Sequence, residues 1–371
     1  MDAPAIEGRI VGAEVLAQSV PLRRLLYRAA PESSSDVSQR PALLTREVLL
    51  LRLRGEDGSV GIGEASAVDW LSPHGGDDVL LELTALAEQI VANRPPASAL
   101  LQRSLQSSLS STTRAGLQCA LLDLQARRRG ISMARLLGAS SDGSLDVSAL
   151  LTGDANAAEE AACYADEGYR AVKIKVGGAG VAGDLAKVLA IRAAVGSRCR
   201  LRLDANGTWS AAQARQALRE MQQASIDFIE EPVGQAQPDR LVVLRALREL
   251  TAVAVDESIR CGRDLDDVLD ANAADVLVIK LERVGGPLAA LALSDCARCS
   301  GLRVVFTDSI ESEVGRAATA HVALAANCAE PLGLGGAFFL DADVASMRAG
   351  GAPIAGPHFE IRGPGLGIEL A

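Results

Sequence analysis

Five short apolar runs, each closing on a charged residue, constrain this chain more than any other feature. They are Ala171-Val-Lys-Ile-Lys-Val176, Arg200-Leu-Arg-Leu-Asp-Ala-Asn206, Asp227-Phe-Ile-Glu-Glu-Pro232, Ala252-Val-Ala-Val-Asp-Glu-Ser258 and Asp275-Val-Leu-Val-Ile-Lys-Leu281. They recur about every 25 to 30 residues, the length of one βα unit, with segments of helical pattern between them. Runs so short and so apolar fit strands buried on both faces, in a parallel sheet covered by helices. The expected fold is therefore α/β, a (β/α) barrel of TIM type. Catalytic groups in such barrels sit where strands end, because the βα loops there converge on one mouth. Lys175, Asp204, Glu230, Asp256 and Lys280 all stand at strand ends, which brings three carboxylates between two lysines.

The chain of 371 residues has room for a complete barrel and a smaller second domain. Before the barrel, Ile10 to Leu16, Thr45 to Leu53 and Val60 to Glu64 read as antiparallel strands, with a turn at Gly55-Glu-Asp-Gly58 and a polar loop from Pro31 to Pro41. Apolar positions three and four apart then predict helices over Asp77–Ala92, Pro96–Leu109 and Ser111–Arg129. Residues 1–130 are thus expected to form an α+β domain and 131–340 the barrel, which opens at Leu145–Leu151 and closes near Pro331–Gly335. From 341 to 371 Gly and Pro dominate, and this tail is expected to pack back on the first domain.

The 37 basic and 47 acidic residues give a formal charge of −10, which argues against nucleic-acid and anionic-membrane partners and for a small-molecule ligand. No apolar run reaches the roughly 18 residues of a membrane span. The start, Met1-Asp-Ala-Pro-Ala-Ile-Glu, lacks a basic, then apolar, secretory pattern, so a cytoplasmic location is expected. The seven cysteines are scattered, mostly in helical patterns, and are read as small buried apolar residues. Cys296-Ala-Arg-Cys299 falls in mid-helix without a second pair, which speaks against a zinc or redox site.

Asp204, Glu230 and Asp256 end three consecutive strands at similar spacing. Hard oxygen ligands with no His or Cys among them suit Mg²⁺, with Mn²⁺ as a possible substitute. Glu231 and Glu257 adjoin these positions, and side-chain alternation turns them aside, to pair with neighbours or meet solvent. Asn206, two residues after Asp204, faces the same way and is a candidate to bond a ligand or a substrate oxygen. The period of two also puts Lys173 and Lys175 on one face. Burial and a neighbouring positive charge lower the pKa of a lysine, as a general base requires, and Lys173 stands where it would act so on Lys175. A proton beside a carboxylate is weakly acidic, and its removal leaves a dianionic enediolate whose charge a divalent cation can hold in a dry pocket.

At these residues the chain resembles the enolase superfamily, whose sites pair a Lys base with Mg²⁺, and within it the muconate-lactonizing-enzyme-like subgroup. The resemblance rests on KxK at Lys173 and Lys175, DAN at Asp204 to Asn206, EEP at Glu230 to Pro232, DES at Asp256 to Ser258, Lys280, and SIES at Ser309 to Ser312. It implies a modified (β/α)₇β barrel with the α+β domain capping its mouth. It also implies Mg²⁺ on Asp204, Glu230 and Asp256, catalysis by Lys175 and Lys280, and a small carboxylate substrate; barrels of this kind often form homo-oligomers. Specificity is then expected from two capping loops, around Val20-Pro-Leu-Arg23 and Gly63 to Trp70.

Within the subgroup, three features point to the o-succinylbenzoate synthases. Gly333-Leu-Gly335 stands where dipeptide epimerases carry an Asp-x-Asp pair for the substrate amine. The loop ending in Asp69-Trp-Leu-Ser72 offers Trp70 as an apolar wall for a six-membered ring, and both lysines needed for a syn dehydration are kept. Lys173, Asn206, Ser309, Ile310, Glu311, Gly333 and Trp70 are accordingly the expected substrate-side residues, with loop bracing an equal role for Glu311. Against this, Lys280 is followed by Leu281-Glu-Arg-Val-Gly-Gly286, a wording shared with N-acylamino acid racemases. Such a racemase or another epimerase is the main alternative. A Schiff-base lysine aldolase and a non-catalytic barrel complete the set.

Overall fold

The computed structural model describes residues 4–27, 42–68, 75–106, 108–151, 156–341, 347–349 and 356–370. Strands β1 (Ile10–Tyr27), β2 (Ala42–Gly55) and β3 (Val60–Glu64) form an antiparallel meander in that order. Three helices follow: α1 (Gly76–Asn93), α2 (Ala97–Ser104) and α3 (Ser111–Arg128). β3 lies directly on α3, and its glycines make that approach possible. A Cβ on Gly63 would stand 2.0 Å from the Gly116 carbonyl oxygen, and one on Gly61 2.2 Å from that of Ala120.

Two elements differ from the periodicity. β1 runs on past Leu16 through Val20–Arg23, the segment expected as a specificity loop, and its register with β2 shifts between Ile10 and Gly12 and again between Pro21 and Leu26. α2 stops at Ser104 rather than Leu109 because side chains satisfy its end: Ser104 Oγ donates to Leu101 O at 2.6 Å and Gln118 Nε2 to Ser104 O at 3.3 Å. The 31–41 loop and the segment from Asp69 to His74, with Trp70, lie outside the described residues.

After the short α4 (Met133–Leu136) and β4 (Ser144–Asp146) the barrel begins. Its strands are β5 (Ala149–Leu151), β6 (Ala171–Lys175), β7 (Arg200–Asp204), β8 (Ile226–Glu230), β9 (Val253–Val255), β10 (Val276–Lys280) and β11 (Arg303–Thr307). They pair in parallel in chain order. The eighth position is held by Leu332 and Gly333, which bridge to Val147 and Thr307 and so close the circle. Helices α5 (Ala157–Asp166), α6 (Gly180–Val195), α7 (Ala211–Glu220), α8 (Arg240–Leu247), α9 (Gly262–Asp270), α10 (Leu281–Val284), α11 (Pro287–Cys299) and α12 (Glu313–Ala325) alternate with the strands. Local signals set their ends. Ser210 and Gln213 make a capping box on α7, and Pro287 starts α11 after Gly285 and Gly286, whose φ values of 93° and 113° end α10.

Alternation along the strands sorts the core into two. Outward residues such as Ile174, Leu203, Ile229, Leu277 and Phe306 join the main apolar cluster under the helices. Inward residues Phe228, Ala254, Val276, Val278 and Val305 form a separate cluster inside the barrel. Each Val, Leu, Ile or Phe among them contributes roughly 1.5–3 kcal/mol on burial. Towards the N-terminal ends of the strands, Arg202 is only 2% exposed; it lies 5.1 Å over the Phe228 ring and pairs with Asp227 and Glu330, as Arg303 also does.

Beyond α13 (Gly336–Phe339), β12 (Met347–Ala349) pairs with β14 (Ile368–Leu370), and β13 (His358–Glu360) pairs with β4. Leu366 N donates to Asp123 of α3, and Arg127 of α3 donates to Ile368 O. Cysteine burial departs from expectation: Cys163, Cys261, Cys296 and Cys299 are exposed and free, since the polar faces of their helices and loops turn outward. The CxxC pair occupies the last turn of α11 rather than its middle.

Candidate active site

Because side chains two apart share a face, the last inward residue of each barrel strand points into the mouth. Lys175, Asp204 and Glu230 are direct register partners across β6, β7 and β8. Glu230 pairs with Ala254, and Asp256 follows on the same inward face. The three carboxylates are nearly sealed from solvent, at 1%, 1% and 1% exposure for Asp204, Glu230 and Asp256. Lys175 and Lys280 stand on β6 and β10, on opposite sides of this row.

Each carboxylate is matched to a cation. Lys173 Nζ lies 2.8 Å from Asp204 Oδ2 and 2.7 and 2.9 Å from the two Glu230 oxygens. Lys175 Nζ donates to Asp204 Oδ2 at 2.6 Å and to Asn206 Oδ1 at 2.7 Å. Lys280 and Arg283 hold the two oxygens of Asp256. Burial disfavours charge on Asp204 and Asp256, but Lys173 and Lys175 on one, and Arg283 and Lys280 on the other, hold both well below the usual carboxylate range. Burial and the neighbouring Asp204 push Glu230 up to about 8. Burial opposes the charge on Lys173 too, yet Asp204, Glu230 and Asp256 outweigh it and keep that ammonium charged. The lysines also differ in access: the Lys175 side chain is 44% exposed, against 15% for Lys173 and 11% for Lys280.

The crowding of three acids, with Glu230 driven towards its neutral form, is the signature of a donor set short of positive charge, and all-oxygen donors suit a hard divalent ion. Among the described residues no three His, Cys, Asp or Glu side chains converge on one point as they stand. The oxygens are turned to the ammonium and guanidinium groups instead. The residues fit a cation in their all-oxygen chemistry and in their adjacency on successive strands.

Neighbouring residues hold the strand ends. Glu231, with φ of 40°, accepts from Asp256 N at 2.8 Å and Ser258 N at 3.1 Å and pairs with Arg240 at 2.7 Å. Glu257 accepts from Asn206 Nδ2 at 2.6 Å, and burial with the nearby Asp256 carboxylate raises it to about 7. Neither is simply solvated. Ser309 Oγ donates to Glu282 at 2.7 Å, and Glu282 also accepts from Thr112 of α3 at 3.3 Å. Ile310 has φ of 60° and lies beside Gly335, whose Cβ would stand 4.0 Å from it. Glu311 is 3% exposed and packs on Gly315 in the first turn of α12, its carboxyl pushed well up by burial and by Glu64. Gly333 lies against Thr307.

Sequence reasoning did not assign Arg283, three residues after Lys280. A basic residue in the first turn of α10 is 3% exposed, and such burial is readable only once the helix is known to lean into the mouth. Arg46 and Glu64, buried on β2 and β3, were also missed. His321 is 0% exposed and accepts from Ala134 N at 3.1 Å; His358 lies 2.9 Å from Asp146. No helix among the described residues is long and apolar enough to cross a membrane.

A parallel barrel under a capping domain, with acids on three successive strands and amines on either side, defines a member of the enolase-type barrels. The chain belongs to the enolase superfamily, in its muconate-lactonizing-enzyme-like group: residues 156–371 match the family described as enolase C-terminal domain-like, and 36–138 match the mandelate racemase / muconate lactonizing enzyme N-terminal domain. It is 29% identical over 335 residues to the L-Ala-D/L-Glu epimerase of Bacillus subtilis, covering 87% of this chain and 89% of that protein. The substrate-liganded structure of that epimerase superposes with a TM-score of 0.85 at 27% identity, over 98% of this chain and 99% of that one. An o-succinylbenzoate synthase of Thermobifida fusca is 41% identical over 170 residues, 45% of this chain and 51% of that protein. A dipeptide epimerase of Enterococcus faecalis, solved with Mg and L-Leu-L-Tyr, gives a TM-score of 0.86 at 24% identity, over 97% and 99% of the two chains.

Proposed function

We propose that this protein catalyses the Mg²⁺-dependent syn dehydration of 2-succinyl-6-hydroxy-2,4-cyclohexadiene-1-carboxylate to 2-succinylbenzoate, as a cytoplasmic lyase of menaquinone biosynthesis. The observation that carries the reaction class is the placement of Lys175 and Lys280 on opposite sides of a buried carboxylate row. Support for dehydration over epimerisation comes from the 41% identity to the T. fusca synthase and from Gly333-Leu-Gly335, where no acid is present to pair with a substrate amine.

In this reading a divalent cation held by Asp204, Glu230 and Asp256 supplies positive charge against the substrate carboxylate. Lys175, the most exposed of the three amines, takes the proton from the carbon beside that carboxylate as a free amine. The C–H electron pair passes into the enediolate, and the Lys280 ammonium stabilises it from the other side. Lys175, now an ammonium, returns its proton to the departing hydroxyl; the C–O bond breaks, water leaves, and the ring becomes aromatic. Asn206 orients Lys175 through its Oδ1 and is itself fixed by Glu257. Trp70, Ser309, Ile310, Glu311 and Gly333 are assigned to the substrate side or to bracing the loops that form it.

The test is an ultraviolet assay for the aromatic product with and without Mg²⁺. A second reading, an N-acylamino acid racemase or other epimerase, is favoured by the 29% identity to the B. subtilis epimerase over most of both chains. Incubation in D₂O separates the two: loss of water marks dehydration, and α-proton exchange without loss of water marks epimerisation.

A further inference from the structure

A buried cation of the capping domain stands apart from the carboxylate row and the lysines beside it. Arg46 on β2 of the capping domain is 2% exposed, and among the described residues its guanidinium donates to backbone carbonyls. Nε reaches Ile310 O in the barrel loop at 3.1 Å, Nη2 reaches Ser66 O at 2.8 Å, and Nη1 reaches Ala67 O and Glu47 O. Ser66 and Ala67 stand at the root of the segment that leads to Trp70. Ile310 is a β-branched residue at φ of 60°, a strained left-handed conformation that persists only where its surroundings impose it.

Adjacent contacts run the same way. Glu64 of β3 accepts from Ser312 N at 3.1 Å and Gly315 N at 3.0 Å, at the start of α12, and from Ser66 Oγ at 2.7 Å. Asp308 accepts from Gly336 N at 2.9 Å and Ile310 N at 3.4 Å, which ties the same barrel loop to the closing segment of the barrel. A planar fork with several fixed donors can hold carbonyls from two domains at set angles, and a lysine cannot.

We propose that Arg46 is a positioning residue that locks the root of the capping loop, 64–68, to the barrel loop 308–312, holding Ile310 in its strained conformation and thereby setting the wall of the substrate pocket. The effect on substrate rests on the reaction proposed above; the lock itself does not.

Arg46→Lys keeps the charge and removes the fork. Amide hydrogen exchange read by mass spectrometry should show protection falling about tenfold or more in both 64–68 and 308–315, with the strands β7 to β10 unchanged. KM for the cyclohexadiene substrate should rise about tenfold while kcat stays within about threefold. Ile310→Gly removes the conformational strain, and in that background Arg46→Lys should raise KM by less than about threefold. Loss of protection confined to 64–68, loss spread evenly through the barrel, or an equal KM effect in both backgrounds would each overturn the lock. Exchange needs no substrate. A wild-type protein without dehydratase activity would therefore sink the reaction assignment and leave the exchange experiment to decide on Arg46.

Discussion

Lys173 holds both oxygens of Glu230, at 2.7 and 2.9 Å, and touches Asp204 at 2.8 Å as well. Among the described residues it is the one ammonium shared by two of the three acids. Lys173→Met should destabilise the metal-free protein by about 3–5 kcal/mol, because the buried Glu230 loses its ammonium partner while Asp204 keeps only Lys175. Millimolar Mg²⁺ should recover much of that loss. Urea unfolding in EDTA and in Mg²⁺ measures both quantities, and an equal loss in the two conditions would refute this account of the site.

Lys175→Ala should lower turnover by about 10²–10⁴-fold, the range ascribed to a positioned base, and leave Mg²⁺ affinity nearly intact. Product absorbance gives the first value and titration calorimetry the second. Substantial residual dehydration would remove Lys175 from the role of base.

Chelation should abolish turnover, and added Mg²⁺ should restore it. Glu230→Gln keeps the shape of the side chain and removes the charge, so Mg²⁺ affinity should fall by about 10–100-fold. Calorimetry on the variant, with circular dichroism as a check on folding, decides the point. Unchanged affinity would mean that Glu230 is not a ligand.

Burial pushes the His321 imidazole down to about 4 from its ordinary 6.5. Between these values the unfolded chain binds the proton and the folded chain does not, so stability is complete above pH 6.5 and is lost as pH falls towards 4. From pH 7 to pH 5 the loss due to this residue is about 2 kcal/mol. Urea unfolding at both pH values should show a flatter dependence for His321→Gln than for the wild type. Parallel curves would contradict the assignment.

The architecture was legible in the sequence because short apolar runs with charged ends at βα spacing leave few folds open, and all five runs became barrel strands β6 to β10. The adjacency of Lys175, Asp204 and Glu230 followed from the same alternation. What was not legible depends on contacts between segments far apart in the chain. Arg283 and Arg46 look like ordinary surface cations in sequence; only the lean of α10 and the seating of β2 on the barrel bury them. Likewise the continuation of β1 beyond Leu16 reflects partners distant in sequence: Val20 and Pro21 pair with Arg46 and Thr45 of β2, and Leu22 bridges to Leu340. The inward Arg202 breaks the apolar rule for a strand because Asp227, Glu330 and the Phe228 ring meet it there.

That ionic plug under the Phe228 layer makes the barrel a blind alley. Reactant, product and every water molecule must come and go by one doorway, the end roofed by the capping domain.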